Sequence, residues 1–341
     1  MVAPDIFDGD AVGNHCLGVA RAAARCGHEV LVFANASNVD SVRPIAALWD
    51  TLRDDDVLYL SYSIHDPHLE RLAEHPGRKV CFFHGVTEPS LLQKSDPVTA
   101  ELCRRSIEQF ATLNRFDVVV ANSRWTATSL AGAVDPARIR ALPPISPDMP
   151  IFRMEPFDAA PPAAEAELLM LGRVVPHKAI DDGIRALGCL RAMGRSARLT
   201  VVGTWGHEAY LGELQALAAE QGLEADVVFT GALGMEDLLA CFRRSHMLLS
   251  FSRHEGFCVP VLEAMWLGRP AMVRAGTAAL EVGGDAVAAF ATPEQASAMV
   301  AELLDDTRLQ ARMIHAGHAR ARQLLHEVRD DVVCRLLAGD E

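Results

Sequence analysis

The chain's 341 residues are enough for two domains, and half of them are hydrophobic against 23% charged, which supports sizeable cores and excludes a disordered chain. Its 32 Lys and Arg face 45 Asp and Glu, a net charge of −13 with no basic run, so nucleic acid is not an expected partner. No apolar run approaches the ~20 residues of a membrane span, and Asp5, Asp8 and Asp10 break up the start as a secretory leader. A cytoplasmic protein with no integral membrane segment is expected, peripheral membrane contact being left open.

Short apolar runs alternate with amphipathic stretches throughout. Only Met1–Ala3 remain for a first strand ahead of the loop Asp8-Gly-Asp-Ala-Val-Gly13, which predicts a strand cut short. Further strands are predicted over 29–34, 57–62, 79–83 and 117–121, with helices over 14–26 and 99–113 between them. Seven prolines (143, 144, 147, 150, 156, 161 and 162) then interrupt the pattern, too many for a helix or a central strand. The alternation restarts with strands over 168–171, 198–202, 226–229, 247–251 and 270–273, and residues 306–339 read as helix. Mostly apolar strands alternating with helices predict α/β architecture with parallel sheets covered on both faces, twice over. The expected division is a first domain over 1–150, a linker over 151–166, a second domain over 167–320 and a terminal helix over 321–341. Eight cysteines (16, 26, 81, 103, 189, 241, 258 and 334) are scattered without a Cys-x-x-Cys pair. That pattern suits a reducing compartment and predicts neither a zinc site nor a disulfide framework.

Ligands of open parallel sheets sit beyond the carboxyl ends of the strands, so polar residues just after strands are the candidates. The richest stretch is Ser250-Phe-Ser-Arg-His-Glu-Gly-Phe-Cys-Val-Pro-Val-Leu-Glu-Ala-Met265. Glu255 and Gly256 fall in a loop, Pro260 suits the first position of a helix, and Glu263 is placed in that helix's first turn. Two carboxylates facing one crevice suit sugar or ribose hydroxyls, and the N–H groups from Gly256 to Val259 suit a phosphate. The plainer alternative is a surface turn at Glu255 and a Glu263 that counters its helix dipole. Arg173 and Lys178, after the second domain's first strand, suit a diphosphate or are solvated surface cations. His84 ends an apolar strand before glycine, as a site residue or a structural histidine. The Asp8–Asn14 loop leads into a helix as a further anion cradle. No Gly-x-Gly-x-x-Gly fingerprint and no Walker sequence is present.

Together these segments resemble retaining glycosyltransferases of the GT-B fold. Glu255 and Glu263 match their Glu-x7-Glu motif, and His254-Glu-Gly-Phe-Cys-Val-Pro-Val-Leu-Glu-Ala-Met265 is similar to family 4. Gly172-Arg-Val-Val-Pro-His-Lys178 resembles that family's Gly-Arg-x-x-x-x-Lys segment, Phe83-His-Gly its histidine motif, and Ala121-Asn-Ser-Arg-Trp the helix start that follows. Gly9-Asp-Ala-Val-Gly-Asn14 and Tyr62-Ser-Ile resemble a bacterial subgroup that builds surface polysaccharides. The resemblance implies two Rossmann-like domains across a cleft, with the last helix crossing back to the first domain. It implies a nucleotide-diphosphate sugar, UDP- or GDP-linked, as donor, and a hydroxyl of a glycan, lipid-linked glycan or small molecule as acceptor. No metal and no cofactor are implied.

Carried over residue by residue, His84, Arg173, Lys178 and Glu255 would be catalytic. Gly13, Gly172, Gly203, Thr204, Gly256, Phe257, Cys258, Val259 and Glu263 would bind the donor, with Glu263 on the ribose hydroxyls. Asp10, Asn14, Tyr62 and Thr87 would contact the acceptor. His177 and Ala179 stand where the family often has Glu and Gly, and Cys258 where many members have Gly. The implied chemistry is transfer with retention of anomeric configuration, the leaving diphosphate held by Arg173 and Lys178. A sugar phosphorylase or nucleotide-sugar epimerase of the same fold, or a non-catalytic partner subunit, are the alternatives.

Overall fold

In a computed structural model, residues 1–7, 9–158 and 165–340 are described; Asp8 and the linker prolines Pro161 and Pro162 lie outside them. The chain divides into two compact units, one holding Met1–Pro150 with the stretch from Leu324 onward, the other Ile151–Gln323.

Unit 1 is built on a parallel sheet of seven strands: β1 (Val2–Ile6), β2 (Phe33–Ser37), β3 (Arg43–Pro44), β4 (Leu58–Tyr62), β5 (Lys79–Phe83), β6 (Val118–Ala121) and β7 (Ile139–Ala141). Their order is β3-β2-β1-β4-β5-β6-β7. Every residue of β4 and β6 is buried, as strands covered on both faces require. The first strand is longer than the expected Met1–Ala3 and runs to Ile6. It keeps one register with β2, from Val2↔Phe33 to Ile6↔Ser37, so β2 extends to Ser37 and starts later than the predicted 29–34. Pro4 has no N–H to give the ladder, and pairing of β1 with β4 is confined to Val2↔Leu60. The edge strands β3 and β7 are two and three residues long, too short to announce themselves as apolar runs.

The terminal helix Asp330–Ala338 packs on the first helix, Ala11–Arg25. Leu336 and Leu337 join Val19, Ala23, Phe82, Val118 and Val120 in one apolar cluster. The Arg25 guanidinium makes a two-pronged pair with Asp330, and Arg78 donates to Leu336 O at 2.8 and 3.2 Å. Between these contacts Cys26 and Cys334 form a disulfide, with Cα atoms 5.9 Å apart. This corrects the expectation that all eight cysteines stay unpaired: the two partners lie 308 residues apart and meet only because the tail returns to the first helix.

Unit 2 carries β8 (Ala166–Leu171), β9 (Ala197–Val202), β10 (Val227–Gly231), β11 (Met247–Ser250), β12 (Ala271–Arg274) and β13 (Ala288–Phe290) in the order β10-β9-β8-β11-β12-β13, all parallel. Both sheets thus reverse strand order beside their first strand, the Rossmann arrangement, and the chain has the GT-B fold. Residues 151–158, expected as linker, pack within unit 2. Phe157 N donates to Leu267 O (3.0 Å), Trp266 Nε1 to Met154 O (3.0 Å) and the Arg269 guanidinium to Asp158 O (2.7 Å).

Candidate functional site

In unit 2 the topological switch point lies between β8 and β11, and the loops leaving these two strands carry the candidate residues. After β8, Gly172 turns the chain, Pro176–Lys178 forms a single 3-10 turn, and the helix Ile180–Ala192 begins. After β11, the loop passes Ser252 and Glu255 to reach the helix Val259–Trp266. Two bonds join the loops: Lys178 Nζ donates to Glu255 Oε1 at 2.7 Å, and Arg253 N donates to His177 O at 2.7 Å. Ser252 Oγ also donates to Glu255 Oε1 (2.7 Å), so Oε2 accepts nothing among the described residues. Glu255 is 8% exposed. Burial works against its charge, but Lys178 and the Ser252 hydroxyl outweigh that and hold its pKa below the usual glutamate value. The adjacent His177 is driven the other way, to about 3, by burial first and by the Lys178 charge second, so its ring is neutral.

Both loops end in strained backbone. Ala179 (φ +50°, ψ +48°) and Cys258 (φ +82°, ψ +69°) are left-handed, and they are the only non-glycine residues with positive φ among those described. They are also the two positions where the resembled family often has glycine, which makes the physical reason for that glycine visible. Each immediately precedes a helix, and the turn aims the helix start at the crevice. The N–H groups of Phe257, Cys258 and Val259 donate to no group among the described residues. Phe257 and Cys258 are themselves buried. Pro260 falls in the first turn of the helix, but Glu263 is its fifth residue and belongs to the second turn, not the first as expected. Glu263 is half-buried without a side-chain partner among the described residues, and loss of hydration pushes its pKa up to about 7.

The carboxyl ends of β8 and β9 meet closely. A Cβ on Gly203 (φ +149°) would stand 2.0 Å from Gly172 O, so no side chain fits there. Thr204 is exposed, and its carbonyl accepts from Val174 N (2.8 Å). Arg173 is exposed and makes no hydrogen bond or salt bridge among the described residues. The structure therefore brings Lys178, Ser252 and Glu255 into direct contact, ties His177 O to Arg253 N, and leaves the Arg173 and Glu263 side chains without a partner among the described residues.

In unit 1, His84 ends β5 with Nε2 2.9 Å from Ser61 Oγ, and Asn122 Nδ2 donates to its carbonyl (2.7 Å). Burial pushes the His84 pKa down to about 3. His15, which the sequence did not single out, packs edge-on to it with ring centroids 5.1 Å apart. Gly13 is required by packing, since its Cβ would lie 2.0 Å from Phe7 O. Asp10 caps the first helix by accepting from Val12 N (3.2 Å), and Asn14 Oδ1 accepts from Gly9 N (3.3 Å). Tyr62 departs from its expected acceptor role: it is fully buried, and its hydroxyl donates to Ser106 O (2.9 Å) and Gln109 Oε1 (3.1 Å). Thr87 is half-buried in the loop after β5.

A charged network behind the unit 2 loops is the largest feature the sequence did not reveal. Arg253 reaches Asp181 and Asp182 at 3.2 Å, Arg185 bonds both, and Arg274 pairs with Asp182 while donating to Phe251 O (2.9 Å). It ties the loop carrying Glu255 to the helix that follows Lys178. Among the described residues no three His, Cys, Asp or Glu side chains converge as a metal site, and no helix is long and apolar enough to cross a membrane.

Residues 153–320 match the family described as "Glycosyl transferases group 1". The chain is 30% identical over 151 residues to the alpha-D-kanosaminyltransferase of Streptomyces kanamyceticus, covering 43% of this chain and 38% of that one. It is 31% identical over 229 residues to the GDP-mannose-dependent alpha-(1-6)-phosphatidylinositol monomannoside mannosyltransferase of Mycolicibacterium smegmatis, covering 60% and 57%. The chain thus spans less than two thirds of the length of either relative. Among solved structures, Anabaena HepE, crystallised in complex with UDP and glucose, superposes with a TM-score of 0.74 at 17% identity over 100% of this chain and 99% of that one. WaaG, a glycosyltransferase involved in lipopolysaccharide biosynthesis, superposes with a TM-score of 0.69 at 16% identity over 99% and 100%.

Proposed function

Unit 2 being a group 1 glycosyltransferase domain on a GT-B frame, we propose that the chain moves a hexose from a nucleotide-diphosphate sugar to a hydroxyl of a glycan or small-molecule acceptor, with retention of anomeric configuration. The observation that carries this reading is the Lys178–Glu255 pair, buried at the switch point with Glu255 Oε2 still open. In this reading Lys178 and the unengaged Arg173 hold the diphosphate, aided by the N–H groups at the start of the helix Val259–Trp266. Departure of the diphosphate from the anomeric carbon adds one negative charge to the two it already carries, and fixed cations stabilise it without reorganising at the moment of reaction. Glu255 Oε2 accepts a hydroxyl of the transferred sugar. Glu263, once ionised, accepts the ribose hydroxyls. In front-face transfer the leaving phosphate oxygen takes the acceptor's proton.

The mannosyltransferase named above is described as acting on phosphatidylinositol monomannoside, which supports an acceptor hydroxyl over water or phosphate. Polysaccharide or glycoconjugate synthesis in the cytoplasm is the context proposed, with any membrane contact peripheral. The test is release of nucleoside diphosphate from UDP-, GDP- and TDP-hexoses, with monosaccharide, glycolipid and aminocyclitol acceptors. Acceptor-dependent release from one donor, abolished by Lys178→Ala, is expected. No release from any combination, or equal release by the variant, contradicts the assignment.

A further inference from the structure

Unit 2 holds a cavity of about 210 Å³ lined by Phe152, Arg153, Glu155, Trp266, His318 and Arg322, and by none of the donor-site residues. We infer that it is a second, separate binding site for a monosaccharide phosphate.

Two glycines allow the close packing beside the cavity. Gly317, within the helix Thr307–His326, lets that helix approach the one carrying Trp266: a Cβ there would stand 3.3 Å from the Met265 side chain. Gly268 (φ +75°) ends the Trp266 helix, and a side chain on it would press on Phe157 O (2.9 Å) and on His318 Nε2 (3.2 Å). The indole is fixed at one end, where Nε1 donates to Met154 O (3.0 Å), and the Phe152 ring meets it edge-on at 6.1 Å and 89°. It forms a rigid aromatic wall.

The polar groups of the wall are unspent. His318 Nε2 is buried towards Gly268, with no hydrogen-bond partner among the described residues, so the ring closes the wall without offering that nitrogen to the cavity. Arg322 lies one helical turn beyond His318 on the same face. Neither Arg153, Glu155 nor Arg322 makes a salt bridge or side-chain hydrogen bond among the described residues, although all three border one space. The two guanidinium groups suit a phosphate, which takes several donors at once. A carboxylate among them opposes a bare anion but accepts from sugar hydroxyls, and an aromatic face suits the C–H face of a pyranose. One ligand meets all of these demands: a single sugar ring bearing a phosphate. The volume is below the ~300–1,000 Å³ of pockets for larger ligands, which favours a single sugar ring over a nucleotide sugar.

Titration calorimetry on the whole chain with glucose 6-phosphate, inorganic phosphate and glucose tests this. Saturable binding of glucose 6-phosphate is expected, unchanged in Lys178→Ala and weakened about tenfold or more in Arg322→Ala and in Arg153→Ala. Glu155→Gln should weaken glucose 6-phosphate but not inorganic phosphate. All three side chains are exposed, so these variants should fold. The inference is overturned by no saturable binding at ~10 mM, by binding that Lys178→Ala removes and Arg322→Ala keeps, or by inorganic phosphate binding as tightly as the sugar phosphate.

Discussion

Lys178 and Glu255, 77 residues apart, meet at 2.7 Å across the loops that leave β8 and β11, and the same carboxylate oxygen accepts from Ser252. Neither side chain is well solvated, with 23% and 9% of its surface exposed. Truncating one partner therefore strands the other charge. Lys178→Ala should cost on the order of 3 kcal/mol of stability and lower turnover by roughly 10²–10³. Adding Glu255→Gln should recover part of the stability and none of the turnover. Urea unfolding and steady-state rates for the wild type, the two single variants and the double variant measure this. A double variant less stable than either single one contradicts a buried pair.

Glu263 titrates in the opposite sense. Its pKa of about 7 lies above the ~4.3 of a solvated glutamate, so the folded chain holds that proton more tightly than the unfolded chain. The resulting stability is fully present below ~4.3 and is lost as the pH rises to about 7. Glu263→Gln should thus gain stability relative to the wild type between pH 5 and pH 8, read as the difference in urea midpoint. A difference that stays flat with pH contradicts the buried, partnerless carboxyl.

Ala179 sets a narrow steric rule at the head of the helix Ile180–Ala192. Its left-handed backbone costs an L-residue about 1–2 kcal/mol, which glycine avoids, while glycine gives up a buried methyl worth ~0.8 kcal/mol and gains unfolded-state freedom. The two effects nearly cancel, so Ala179→Gly should change stability by less than about 1 kcal/mol and keep activity. Ala179→Val, β-branched in that region, should be strongly destabilising. Thermal melts of the two variants decide it, and equal losses would contradict the assigned backbone.

The Cys26–Cys334 disulfide joins the ends of a very long loop, so it restricts the unfolded chain. Non-reducing peptide mapping should recover the linked pair. Reduction, or Cys334→Ser, should cost roughly 2–5 kcal/mol by urea unfolding. Recovery of Cys26 with Cys16 or any other partner contradicts the return of the terminal helix.

The alternation of strands and helices was legible because most strands here are continuous apolar runs such as Val118–Ala121. Edge strands of two or three residues were not, and β1 was misread because Pro4 interrupts its pattern. Glu255, Lys178 and His84 were singled out from their place after strands, and the structure pairs the first two. Ser252, two residues past β11 and three before Glu255, is legible from the same placement. The Asp182–Arg253–Arg274 network and His15 were not legible, because their partners lie on other elements and no local spacing records them. Tyr62 misled for the opposite reason: next to polar residues at a strand end it reads as a site residue, but its hydroxyl is bound to Ser106 and Gln109 in the core.

The most direct test of the donor site is thermal stability with UDP, GDP, ADP, TDP and CMP, for the wild type and Lys178→Ala. A ligand at ~100 times its Kd adds about 2.7 kcal/mol, enough to raise Tm by several degrees. One nucleoside diphosphate should stabilise the wild type and leave Lys178→Ala unmoved. No shift from any nucleotide, or the same shift in both proteins, would contradict a diphosphate held by Lys178 at the β8–β11 switch point.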